Sequence, residues 1–161
     1  MFQDLMKLSG ELDILLLDKD GNVKDSRKET NLVVSTGLAF ICSRMEDASA
    51  SVMSHMALGT GTTAEAAGNT ALQTQSGLRK ALTSTNASSN TITYVASFGD
   101  GQGLSNETIS GNGTATTAVT EAGIFNAGTA GTMLCRTTFP VVNKADGDTL
   151  QITWTITLTA S

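Results

Sequence analysis

His55 is the only histidine in the chain, so Ser-His-Asp or Cys-His chemistry would have to run through it. No Gly-x-Ser-x-Gly elbow presents a nucleophilic serine, and neither Cys42 nor Cys135 stands in a setting that activates a thiolate. His55 is therefore read as a structural or surface residue. Glu121 lies among small residues in a run with strand character. Glycoside hydrolysis needs a second carboxylate across a cleft. Asp100 and Glu107 are the candidates, and no spacing brings either one to Glu121. The stronger expectation is a buried ion pair between Glu121 and Arg136 on a neighbouring strand. Asp18, Asp20 and Asn22 have the ligand types of a calcium loop, but the run is too short and lacks the closing Glu. Its Asp20-Gly21 step marks a turn instead. Gly59-Thr60-Gly61-Thr62-Thr63 lacks the Lys of a phosphate loop. The cysteines have no Cys or His at metal-ligand spacing and are read as two buried free thiols, with a disulfide between them left open. The expectation is a protein that is not an enzyme and uses no metal or cofactor.

The elements that would position these residues are mostly strands. In 150–159, Leu150, Ile152, Trp154, Ile156 and Leu158 alternate with Gln151 and four threonines. Side chains alternate faces along a strand, so the large apolar groups share one side and Thr the other. Trp154 and Tyr94 would make a sugar-binding shelf if exposed, but both fall on the apolar faces of their strands and are assigned to the core. Leu12, Ile14 and Leu16 give a first strand, and a second is expected over 23–34 after the Asp-Gly turn. Ser35 and Thr36 read as caps of a helix over 36–45 whose buried face is Leu38, Ile41, Cys42 and Met45. Strands are expected over 52–58, 78–83, 92–98, 116–125 and 132–139, with Pro140 ending or kinking the last. Residues 60–72 and 99–114 read as loops, and 84–90 as a Ser/Asn turn. In 116–125, Ala118, Thr120, Ala122 and Ile124 share a side. Strands joined by short turns make the fold class mainly β, an antiparallel sandwich or jelly-roll-like body with one short α-helix. The 161 residues are read as a single β-rich domain.

The net charge of −5 and the lack of a basic cluster exclude direct nucleic-acid binding, which needs several Lys or Arg together. Residues 1–50 hold 15 of the 25 charged side chains. The triplets beginning at Asn86, Asn106 and Asn112 match a glycosylation pattern, but without a secretory signal they mark only polar loops. No spanning segment or signal peptide is read near the start, where Lys7, Gly10, Glu11 and Asp13 interrupt the apolar residues. No membrane partner is expected. Residues 1–8 carry Phe2, Leu5, Met6 and Leu8 with no obvious strand partner, and are read as an N-terminal contact arm.

Three runs carry a family resemblance. The first joins Gly10-Glu11-Leu12 and Asp20-Gly21-Asn22-Val23 to Asn31-Leu32-Val33-Val34-Ser35-Thr36-Gly37-Leu38. The second is Met53-Ser54-His55-Met56-Ala57-Leu58-Gly59-Thr60-Gly61-Thr62-Thr63, with Thr70-Ala71-Leu72 beyond it. The third is Thr120-Glu121-Ala122-Gly123-Ile124-Phe125-Asn126-Ala127, then 131–139, with Val142-Asn143-Lys144 and the closing Thr-rich strand. In this order, over nearly the whole chain, they resemble small virion structural proteins of tailed bacteriophages. The resemblance implies a capsid decoration (cement) protein that binds the major capsid protein and itself, as a homotrimer, in a virion assembled in the host cytoplasm. The alternative is a tail-fibre or baseplate component touching the host surface. It brings no catalytic residues.

Overall fold

The computed structural model describes residues 6–46, 49–99, 102–103 and 116–160. The first half of the chain gives β1 (Met6–Leu17), β2 (Val23–Thr30), β3 (Leu32–Val33), α1 (Ser35–Glu46), β4 (His55–Gly59) and β5 (Gln75–Ala81). The second gives β6 (Ser84–Ser88), β7 (Thr91–Phe98), β8 (Thr116–Phe125), β9 (Met133–Ala145) and β10 (Thr149–Ala160). The strands form two five-stranded sheets, β2-β1-β10-β7-β6 and β3-β9-β8-β4-β5, with every pairing antiparallel. The molecule is a mainly β sandwich with one helix among the described residues.

The alternation in β10 sets the core. Leu150, Ile152, Trp154 and Ile156 are buried, while Gln151, Thr153, Thr155 and Thr157 stay half-exposed. β10 lies between β1 and β7, so Trp154 has Leu12 on one side and Tyr94 on the other. These side chains meet Met56, Leu58, Ala122, Ile124 and Cys135 of the second sheet in one core. The β1–β2 hairpin turns at Asp18, whose carboxylate accepts from the backbone N–H of Asp20 and Asn22, and at Gly21, whose φ is 84°. The Asn22 side chain also donates to Asp18, so the carboxylate is spent on the turn.

Five local expectations need correction. The strand expected over 23–34 breaks at Asn31 and its two parts lie in different sheets. Asn31 N–H makes a last bond to Gly10, and Leu32 and Val33 pair with Arg136 and Cys135. The Thr137 hydroxyl donates to Thr30 C=O at 2.6 Å and ties the crossing down. The inward face of α1 is the buried Gly37 with the half-buried Phe40 and Ile41, whereas Leu38 and Met45 are 45% and 80% exposed and Cys42 is exposed. A Cβ on Gly37 would sit 2.0 Å from the Leu134 carbonyl oxygen, so this glycine lets the first turn lie flat on β9 and selects the face. The Thr36 hydroxyl donates to Met133 C=O rather than capping the helix.

The 84–90 segment is a strand, β6, with its turn at Ser89 and Asn90. All five of its residues are exposed, so it leaves no hydrophobic alternation to read. The face of β8 changes midway. Val119 is in the core, the register breaks before Glu121, and Ala122 and Ile124 then point inward. Opposite the break stand Phe139, Pro140 and Val141, so Pro140 bends β9 without ending it. Of the loop expected at 99–114, only Gly99, Gln102 and Gly103 are among the described residues.

Candidate functional site

Glu121 and Arg136 form the ion pair that their strand positions suggest. Gly123 stands opposite Arg136 and Glu121 opposite Thr138, so the pair is a diagonal one across β8 and β9. It lies on the face of the sheet turned away from the sandwich core. Both side chains are nevertheless buried, at 0% and 2% exposure, because residues 60–74 cross over them as a strap. Glu121 Oε1 accepts from Gly61 N–H at 3.1 Å and Thr74 N–H at 2.7 Å. Oε2 accepts from Gln73 N–H at 3.0 Å and Arg136 Nε at 2.9 Å, and Arg136 Nη2 closes the ion pair 2.8 Å away. Arg136 also donates to Asn69 Oδ1 at 3.0 Å and to Thr63 C=O at 2.9 Å.

Two ionised groups buried together are stabilised when hydrogen bonds satisfy their remaining lone pairs and protons. Here both ends of the strap supply those bonds. Four donors fill the four lone-pair sites of the carboxylate, so none is left to take a substrate's proton. Beneath the strap lies a second small core of Val34, Ala57, Leu72, Phe125 and Met133. Arg79 stacks over the Phe125 ring, 3.5 Å from its centroid. Sequence reasoning found the pair but missed its strap partners. The available signal was Gly61, where a Cβ would come within 2.5 Å of Glu121 Oε1.

The other candidates named from the sequence do not gather into a site among the described residues. His55 Nδ1 is 2.8 Å from Ser54 Oγ, and its Nε2 faces Gly128. No carboxylate bonds the ring among the described residues, so the Ser-His pair has no orienting acid. Asp100 and Glu107 lie outside the described residues. Trp154 is fully buried and Tyr94 nearly so, which leaves no aromatic shelf for a sugar. Both cysteines are free thiols; Cys135 is buried as expected, but Cys42 is exposed, because it sits on the outer side of α1. Among the described residues no group of His, Cys, Asp and Glu could hold a metal ion, and no helix is long and apolar enough to cross a membrane.

Of the arm residues, Phe2 and Leu5 lie outside the described residues. Met6 and Leu8 do have a strand partner: they belong to β1, opposite Ala160 and Leu158. Met6 is 59% exposed there. An apolar trough of about 350 Å³ runs between α1 and the first sheet, with Phe40 and Val52 on one side and Ile92 and Tyr94 on the other. It was not legible in the sequence, because it depends on which face of the helix turns inward. No family model, curated protein or solved structure matches the chain.

Proposed function

We propose that this protein is a structural component of a tailed-bacteriophage virion, a decoration protein that binds the major capsid protein shell and stabilises it. The reading starts from the resemblance carried by the three runs. The observation that supports it is how those runs meet in space. Glu121 and Arg136, from the third run, hold Gly61 and Thr63 of the second. Val34 of the first run donates its N–H to Leu134 C=O of the third. These contacts between the three runs thus cross-brace a scaffold. A scaffold whose buried charges are spent internally suits a protein that works by binding, with no catalysis and no cofactor. In this role it acts in the virion, with the shell protein and copies of itself as partners.

Stoichiometry in purified particles tests the proposal. A decoration protein is present at copy numbers comparable with the major capsid protein and stays on tail-less heads. A few copies per particle, lost with the tail, would replace this reading with the tail-fibre or baseplate one. Absence from the particle would overturn both.

A further inference from the structure

The first sheet ends in β2 and β6, and the second in β3 and β5. An open strand edge is a template for another chain, and folded proteins guard their edges with charge, proline, bulges or short length. Three of these four edges are guarded. β2 carries five charged residues among its eight, and Arg27 reaches across to the Pro140 carbonyl at 2.7 Å. β5 has a register break opposite β4, a left-handed Gly77 at φ 67°, and Arg79 and Lys80. β3 is two residues long and runs into α1. β6 is short but otherwise bare. Ser84-Thr85-Asn86-Ala87-Ser88 has no charge and no proline, its register against β7 is unbroken, and all five residues are exposed.

The core-facing side of the sheet is also exposed at β6. Thr85 and Ala87 stand opposite Tyr94 and Ile92, so they share the core-facing side. The trough beside α1 opens there, with Thr85 in its wall. Val52, which also lines it, is 58% exposed.

We propose that β6 is a self-association edge, at which two copies pair β6 against β6, antiparallel, about a two-fold axis through Asn86. A two-fold contact sets residue i against j and j against i. Ser84 then faces the partner's Ser88, Thr85 faces the partner's Ala87, and Asn86 faces its own counterpart. No like charges meet. Two five-stranded sheets become one of ten strands, and the two troughs lie on the same side of it. Five residues of edge bury well under the ~800 Å² per partner of a stable complex, so the association depends on concentration. It does not rest on the virion reading, and it leaves other surfaces free for three-fold contacts.

The test is molar mass by sedimentation equilibrium, taken to the highest soluble concentration. The wild type should reach an even number of chains. Asn86→Lys and Asn86→Glu each place like charges at the axis and should halve that mass, with the near-UV circular dichroism unchanged. Mixing the two variants sets Lys against Glu and should restore the even species. A wild type that stays at an odd number of chains, variants that keep the wild-type mass, or a mixture that stays halved would each overturn the proposal. If the Asn86 variants lose their near-UV signal, S84K/S88K against S84E/S88E makes the same comparison with the axis residue untouched.

Discussion

Trp154 is the largest side chain with no exposed surface, and it is held between Leu12 and Tyr94. Truncating it leaves a void that the two sheets cannot close. Trp154→Ala should therefore cost about 3–5 kcal/mol, measured by urea denaturation followed by circular dichroism. A loss below about 1 kcal/mol would mean that the ring is not packed as described. Burial, with a smaller contribution from neighbouring Cys135, pushes the Tyr94 hydroxyl up to about 12. Burial also holds the Cys135 thiol well above its ordinary range. In the unfolded chain the thiol and the hydroxyl ionise near about 8.5 and 10, so the unfolded state sheds protons that the folded state keeps. Stability from this source is full below about pH 8.5 and is lost as pH rises towards 12. The urea midpoint should fall between neutral pH and about pH 11, and Tyr94→Phe should lessen the fall. The placement of Trp154 and Tyr94 was legible because a period of two assigns faces without reference to the rest of the fold. The face of α1 was not. Leu38 and Met45 make as good a stripe as Phe40 and Ile41, and only the close approach of Gly37 to β9 decides between them.

At the scale of elements, the 60–74 strap has no regular secondary structure of its own, yet it covers a small core. One carboxylate and one guanidinium hold it at Gly61, Thr63, Asn69, Gln73 and Thr74. Removing either charge strands the other away from water. Glu121→Leu or Arg136→Met alone should cost about 3–5 kcal/mol, and the double variant clearly less than the sum of the two. Additive losses in that cycle would show that the two groups act separately. Long strands with one buried face were legible in the sequence. β6 was not, since it is held by backbone bonds to β7 and buries nothing. Nor was the crossing at Asn31, because apolar and polar residues alternate no differently when a chain changes sheets.

For the whole molecule, the class of fold followed from strands joined by short turns, while the order of strands did not. Pairing partners far apart in the chain leave no local trace, and the neighbours of β10 are β1 and β7, both distant from it in sequence. That placement has a consequence for synthesis. The middle strand of the first sheet is the last of its five strands to be synthesised. Until it is, that sheet exists only as two hairpins, β1–β2 and β6–β7, with nothing to join them. The apolar sides of both halves, with Leu12 and Ile14 on one and Tyr94 and Phe98 on the other, wait unburied for Trp154 and its neighbours to arrive. A ribosome stalled short of β10 thus carries a chain with a bare flank on each side of the gap, the state in which a nascent polypeptide calls on chaperones.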